Sequence, residues 1–309
     1  MTAMEQLVRR RDAGEDLHSV VRVMKSLSAV SIKQFDAAAA TLRQYEHTIL
    51  LGLQAVLRQK TISETVSRTG QAVAFQIIVG SDRGLCGRFN ETIAVRAKEI
   101  FENATLSGRE VSFLTIGARA AERMQSLGVE SAAVFSAPAA VTALSDVVES
   151  LIVHIDKQFH STGIGKISAV YNARTNTELA VVCEDQILPV TEKWLQELKV
   201  KPWPARGLPA FTLDPDKLFS TLIQEHLFIR LLRTVTESAA SEHASRLAAM
   251  QRADRHIDEF LETLGAEIRQ DRQSSITQEL MDIAASYGVL SARRAAEEGE
   301  AAIETALPL

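Results

Sequence analysis

The fold is decided by a long helical stretch near the C-terminus, which begins DPDKLFSTLIQEHLFIRLLRTVTESAASEHASRLAAM (residues 214–250). Asp214 suits a helix N-cap, and Pro215 suits the first helical position, where a missing N–H costs nothing. No further proline occurs until Pro308. At 1.5 Å per residue, 75 residues of such a helix span roughly 110 Å. A compact domain of this mass is much smaller, so we predict a helix that extends beyond its own globule.

A second long helix is predicted near the N-terminus, because no proline occurs before Pro138. From Phe35 its apolar residues are separated by three or four positions, close to the 3.5-residue repeat of a coiled coil. We predict that this helix and the C-terminal one form an antiparallel pair, although periodicity alone also leaves an ordinary helical bundle open. The apolar positions of the predicted seam are Leu17, Val20, Met24, Leu27, Phe35, Ala38, Leu42, Tyr45, Ile49, Leu53 and Val56.

The middle of the chain has a different period. Short apolar runs rich in β-branched residues alternate with helical stretches, which is typical of a mostly parallel sheet covered by helices. The predicted fold class is therefore α/β, with a small Rossmann-like domain between the two helices of a long antiparallel coiled coil. The predicted strands are 72–79, 111–116, 167–171 and 179–183, and the predicted helices between them are 91–103, 118–127 and 144–159.

These patterns divide the chain into five segments. The first long helix covers residues 1–62, and the α/β domain covers 70–190. Residues 191–210 contain three prolines and a glycine and are predicted to be an irregular connector. The second long helix covers 211–290, and 291–309 is predicted to be a polar tail.

Composition narrows the class of protein. The formal net charge of −5 argues against nucleic-acid binding, and no run of 18 apolar residues is present to span a membrane. The N-terminal residues are charged and show no secretory signal. Cys86 and Cys183 form neither a disulfide framework nor a metal-binding spacing, which suits a reducing compartment.

A glycine-rich loop, 80–90, follows the first strand and is the most conspicuous candidate for chemistry. Such a turn can expose backbone N–H groups to a phosphate. It has neither Gly-x-Gly-x-x-Gly nor Gly-Lys-Ser/Thr, however, and Cys86 has no neighbouring base. We interpret the loop as a tight strand-to-helix turn with Asn90 as the helix N-cap, and predict no catalytic residue, cofactor site or metal site on this chain. The seven histidines show no metal-binding spacing either: His18, His47, His154, His160, His226, His243 and His256.

Four segments together resemble the γ subunit of F-type ATP synthases. SDRGLCG (81–87) resembles that family's glycine loop, ASEHASRLAAM (240–250) its small-residue segment, and RQSSITQEL (272–280) its C-terminal signature. Met24-Lys25 falls where the family has Met-Lys in its N-terminal helix. Their order and spacing cover nearly the whole chain. Departures, such as Arg88 in place of a second glycine and the extension after the C-terminal signature, indicate a divergent branch, such as the alternate bacterial F-type ATPases.

The resemblance implies a central-stalk rotor that couples transmembrane H⁺ or Na⁺ flow to nucleotide chemistry on partner β subunits. It implies as partners the α and β subunits of the catalytic hexamer, the ε subunit and the membrane c-ring. It also implies a peripheral location at the cytoplasmic face of the bacterial inner membrane. Among other classes, a coiled-coil scaffold with a ligand-binding α/β domain and a nucleotide-dependent enzyme stay open.

The resemblance also assigns partner-binding residues. Met24 and Lys25 are expected near the moving lever of a β subunit. Arg272, Gln273 and Thr277 are expected to form a polar catch against β-subunit loops. The apolar part of the bearing is expected to consist of Ile276, Leu280, Ile283 and Ala284.

Overall fold

The computed structural model describes residues 3–59, 73–162, 164–204, 207 and 209–305. Two long helices, α1 and α6, enclose a series of strands and shorter helices in the sequence, as predicted. The helices are α1 (Ala3–Gln59), α2 (Phe89–Leu106), α3 (Ala118–Ser126), α4 (Leu144–Thr162), α5 (Glu192–Val200) and α6 (Pro215–Thr305). The strands are β1 (Val73–Val79), β2 (Val111–Ile116), β3 (Ala133–Phe135), β4 (Ile164–Ala173) and β5 (Val181–Leu188).

The five strands form one sheet in the order β3-β2-β1-β4-β5. β1 pairs in parallel with β2 and β4, and β2 pairs in parallel with β3. Only the β4–β5 pair is antiparallel within the described sheet. The predicted fold class, a mostly parallel sheet in a small domain between long terminal helices, is therefore confirmed.

Helices cover both faces of the sheet. On one face, α4 and the middle of α6 pack against β-branched and aromatic side chains of the central strands, and Phe35 of α1 joins this core. On the other face, α2 and α3 cover Ile78, Phe113 and Val170. Because β1 is buried on both sides, its sequence is nearly continuously apolar, as a central parallel strand requires.

The predicted connector at 191–210 is wrong in its first half, since α5 occupies Glu192–Val200. Thr191 is the N-cap of this helix, and its hydroxyl oxygen accepts a hydrogen bond from the N–H of Trp194. Leu195 and Leu198 are buried against Leu53 and its neighbours on α1. The prolines that indicated an irregular segment all follow the end of this short amphipathic helix.

Helix α6 continues beyond the predicted end at residue 290 and reaches Thr305. Residues 306–309 of the predicted polar tail lie outside the described residues. Alanine, glutamate and arginine dominate the stretch after 291 and are strong helix formers, which accounts for a helix where hydrophobic periodicity gave no signal.

The structure divides into two compact units. The sheet unit comprises Val23–Gln251, and the helical unit comprises the described residues up to Arg22 together with those from Arg252 onward. Within the helical unit, an added Cβ on Gly14 would lie 2.9 Å from Leu261 Cδ2, and His18 lies beside Asp254, so α1 and α6 are antiparallel there. The five-segment division derived from the sequence stays a prediction.

The N-terminal part of the predicted seam is wrong. Leu17, Val20 and Leu27 are more than half exposed. The positions that repeat every seven residues and are buried are Gly14, Val21, Ser28 and Phe35. Hydrophobic spacing misses two of these positions because Gly14 and Ser28 are not apolar side chains, and at Gly14 the close approach of Leu261 leaves little room for a larger one.

Candidate partner-binding surfaces on the long helices

The most unusual surface is the part of α6 from residue 272 to residue 291, which we call the collar segment. Every side chain in it is exposed. The last buried side chain along the described part of α6 is Leu264. The exposed large apolar residues of the collar segment are Ile276, Leu280, Met281, Ile283, Tyr287, Val289 and Leu290, each 50–75% exposed.

The residues predicted for the catch and the bearing all lie in this segment. Arg272, Ile276 and Leu280 are four positions apart and therefore share one face of the helix. Gln273 and Thr277 form a second such row, and the Thr277 hydroxyl donates to the Gln273 carbonyl oxygen at 2.9 Å. The hydroxyl proton of Thr277 is thus used within the helix, which leaves its oxygen to accept a hydrogen bond.

Met24 and Lys25 belong to the sheet unit and are both half-buried on α1. They lie within a stretch whose neighbouring side chains Val23, Leu27 and Val30 are 54–67% exposed. Contiguous exposed apolar residues on a helix mark a surface for another protein more often than a solvated face. Leu27 was predicted in the intramolecular seam, so hydrophobic periodicity gives no sign of this outer surface.

The glycine-rich loop is filled by the protein's own side chains. The Asp82 carboxylate accepts from the backbone N–H of Ala118, the first residue of α3, and from that of Ala137, both at 2.9 Å. The N–H of Ser81 donates to Asn90 Oδ1 at 3.0 Å. The Asp82 carboxylate and the Asn90 amide therefore tie the start of this loop to neighbouring segments of the sheet unit.

Asn90 is not the N-cap of α2, contrary to the prediction. The helix begins at Phe89, its N-cap residue is Arg88, and no side chain caps it. Asn90 instead reaches back across the turn, and its Nδ2 donates to Ser81 Oγ at 2.8 Å. An asparagine just inside a helix can close the preceding loop as well as cap the helix, and the sequence does not distinguish the two.

A buried ion pair on α6 holds the same loop. Arg246 Nη2 lies 2.5 Å from Glu242 Oε1, and the guanidinium also donates to the carbonyl oxygens of Arg83 and Gly84 at 3.3–3.4 Å. Burial raises the pKa of Glu242, and Arg246 opposes that rise. Sequence reasoning identified the segments on both sides of this contact only as motifs, not as partners.

Cys86 is a buried residue of this loop, with its sulfur 3.7 Å from Ser81 Oγ. Burial raises the pKa of its thiol. A nucleophilic cysteine needs a lowered pKa, so the environment of Cys86 is that of a structural residue. Nor does any helix within the described residues have the length and apolar character needed to cross a lipid bilayer.

Comparison with known proteins matches the fold and the sequence over nearly the whole chain. The sequence profile of the ATP synthase family matches residues 3–290. The ATP synthase γ chain of Pelagibacter ubique is 25% identical over 291 residues, which cover 92% of this chain and 98% of that protein. The γ chain of Geotalea daltonii is also 25% identical, over 92% of this chain and 97% of that protein.

Among solved structures, a chain of the Euglena gracilis mitochondrial ATP synthase, determined by cryo-EM with OSCP, F1 and c-ring, has the same fold. Its TM-score is 0.60 at 16% sequence identity, covering 94% of this chain and 95% of that chain. The family match extends over both long helices and the sheet between them. The chain therefore belongs to the ATP synthase family, in which its relatives are the γ chains of the central stalk.

Proposed function

We propose that this chain turns inside a ring of α and β subunits and couples transmembrane ion flow to nucleotide chemistry on the β subunits. The collar segment carries this proposal. This helix segment leaves seven large apolar side chains exposed, and five of them, spaced three and four residues apart, form one apolar face: Ile276, Leu280, Ile283, Tyr287 and Leu290. An exposed apolar face of this length marks a surface for another protein. A sleeve of partner subunits around the segment would bury these side chains while leaving the helix free to rotate.

A rotor of this kind acts through asymmetry. One helix presents different side chains in different directions, and three chemically identical β subunits around it would each meet a different face. Their nucleotide sites would then be held in different conformations with different affinities. Rotation exchanges the three states, so ion flow and ATP chemistry share one coupling free energy.

The polar residues of the collar segment are suited to a transient catch. Arg272 is exposed, and its guanidinium can bind a carboxylate through two parallel hydrogen bonds. On the adjacent row, the Gln273 amide can donate to or accept from loops of a β subunit, and the Thr277 oxygen can accept from them. Met24 and Lys25, on α1, would contact the moving lever of a β subunit. The uncharged thioether of Met24 can slide past carboxylates on that lever, whereas a cation at the same position would form ion pairs with them.

We further propose that the chain has no catalytic site of its own. In the loop that follows β1, Asp82 and Asn90 are engaged in contacts within the protein, and the Asp82 carboxylate would repel a nucleotide phosphate. The same contacts argue against a scaffold protein whose α/β domain binds a ligand in this loop. The sheet unit would instead bind the ε subunit and the c-ring, at the cytoplasmic face of the bacterial inner membrane.

The test is reconstitution of the chain with its α and β subunits, followed by measurement of ATP hydrolysis and of subunit stoichiometry. The isolated chain is expected to hydrolyse no ATP. Ile276→Asp and Leu280→Asp should each weaken assembly or stop rotation, because each places a charge on the apolar face that the partner subunits would cover. Ser286→Asp, at an exposed polar position of the same segment, is the matched control.

Two outcomes would overturn the proposal. One is ATP turnover by the isolated chain that disappears when Asp82 is replaced. The other is an equal effect of the aspartate at positions 276, 280 and 286, which would indicate that no apolar sleeve surrounds the collar segment.

A further inference from the structure

Three side chains of types that commonly bind metals converge within the helical unit, outside the collar segment. His18 comes from α1, and Asp254 and Asp258 come from α6. The two aspartates are four residues apart and therefore lie on the same face of the helix, one turn from each other. His18 Nε2 lies 3.2 Å from Asp254 Oδ1 and 3.3 Å from Asp258 Oδ1.

The geometry of these atoms fits a single cation. The ligand atoms of all three residues lie within 4.8 Å of one another. In a tetrahedral site with bonds of about 2.0–2.1 Å, neighbouring ligand atoms are about 3.3–3.4 Å apart. Both distances from the imidazole nitrogen are close to that value. We propose that His18, Asp254 and Asp258 form a binding site for a divalent transition-metal ion, for which Zn²⁺ is the reference.

The surroundings of His18 support a metal more than an ion pair. The side chain is only 13% exposed, and its Nε2 atom is buried without a hydrogen-bond partner among the described residues. Both carboxylates are within 3.3 Å of Nε2, yet neither forms a hydrogen bond with it. A neutral imidazole can instead direct its lone pair between the two oxygens, where a cation would bind.

The donor set selects the class of metal. An imidazole nitrogen with two carboxylates suits Zn²⁺ and other divalent first-row ions, whereas Mg²⁺ and Ca²⁺ prefer oxygen ligands alone. Asp258 is 60% exposed, so the fourth position opens to solvent and would hold water. Such a site links α1 to α6 and stabilises the helical unit by binding only its folded form.

The sequence predicts no metal site here, because no local spacing brings the three residues together. Only the Asp254–Asp258 pair has such a spacing, and it contains no histidine. His18 belongs to another helix, 236 positions away in the sequence. The signal that could have identified this site is the position of His18 on α1, four residues after Gly14 and three before Val21, on the side of the helix that packs inward.

The experiment uses the intact chain, purified without a polyhistidine tag and freed of metal by a chelator. Binding of Zn²⁺ is measured by calorimetry, and Co²⁺ is used as a spectroscopic probe because its absorption bands report coordination geometry. We expect one Zn²⁺ per chain, a tetrahedral Co²⁺ spectrum and a rise in the thermal unfolding midpoint on adding Zn²⁺. Loss of one direct ligand should weaken binding by about tenfold or more, since loss of outer-shell partners alone costs about 10–100-fold.

Three variants separate the proposal from its alternatives. His18→Gln and Asp258→Asn should lose the site, and Asp258 is exposed enough that its replacement leaves the fold intact. His256→Gln is the matched control, because His256 lies 3.5 Å from Glu259 in an exposed pair of the same unit. Equal Zn²⁺ binding by all variants would mean adventitious surface binding. An unfolding midpoint that neither chelator nor Zn²⁺ changes would mean that the cluster is only an ion pair, and either result overturns the proposal.

Discussion

Replacing Arg246 by methionine tests how the glycine loop is held against α6. Arg246 is 5% exposed, and its partner Glu242 is 9% exposed. The substitution keeps the length of the side chain but removes the charge, together with the donors to Glu242 and to the carbonyl oxygens of Arg83 and Gly84. Glu242 then stays buried without its counter-charge.

The expected cost follows from that isolated carboxylate. Breaking a buried pair by removing one partner costs about 3–5 kcal/mol, whereas replacing both partners by neutral groups is often close to neutral. We therefore expect Arg246→Met to destabilise the sheet unit by about 3–5 kcal/mol. The double variant Glu242→Gln/Arg246→Met should recover most of this loss, because no buried charge remains.

The effect should also depend on pH. Burial raises the pKa of Glu242 above that of an exposed glutamate, so the folded state binds this proton more tightly than the unfolded state does. Stability from this group is therefore present at low pH and is lost as pH rises through the folded-state pKa. Without Arg246 that pKa rises further, so the variant should be less destabilised at about pH 5 than at about pH 8.

The assay is urea unfolding followed by circular dichroism at both pH values, for the parent and all three variants of the double-mutant cycle. If Glu242 and Arg246 interact as described, their coupling energy from the cycle should be well above about 0.5 kcal/mol. If Arg246→Met and the double variant lose the same free energy of unfolding at both pH values, the buried charge is not what determines the stability of this contact.

The remaining predictions concern the loop and one buried histidine. Gly80→Ala should destabilise the chain by about 1–3 kcal/mol in urea unfolding, because the added Cβ would lie 2.2 Å from the Cβ of Ala120 on α3. Gly84→Ala is the control and should be nearly neutral, because an added Cβ there meets open space. Asp82→Asn should cost about 0.5–2 kcal/mol through loss of one backbone N–H acceptor, and an unchanged unfolding midpoint would contradict this. His226 is 3% exposed, and burial lowers its pKa to about 4. The neutral imidazole therefore contributes fully to stability above about pH 6.5, and this contribution is lost on acidification toward pH 4. His226→Phe should remove this acid-induced loss of unfolding free energy, which is at most about 2 kcal/mol at pH 5.

The sequence predicted those parts of the fold that depend on local pattern. The β-branched runs identify β1, β2 and β4 because a central parallel strand is buried on both faces. β3 is only three residues long, too short to have a period, and it forms because β2 offers an open edge. α5 was missed because nearby prolines outweighed Thr191 and the two buried leucines that follow it.

The candidate surfaces could be predicted less completely, because partner contacts leave no period of their own. Motif resemblance singled out residues 272–280, and the structure adds that every side chain of the collar segment is exposed; their role in partner binding stays a prediction. The contact of Arg246 with the carbonyls of Arg83 and Gly84 joins positions more than 160 residues apart. No spacing rule connects them, since backbone carbonyls carry no residue identity.

The wrong phase of the N-terminal seam has a physical cause that bears on function. Hydrophobic periodicity assumes that the largest apolar residues face the intramolecular partner. On α1 the buried positions are instead Gly14, Val21 and Ser28, while Leu17 and Leu27 are exposed. A chain that only had to bury its own surface would gain about 1.5–3 kcal/mol for each leucine turned inward. Leaving them exposed gives up part of this free energy unless another protein covers them, so the residues that misled the seam assignment are consistent with the proposed rotor enclosed by partner subunits.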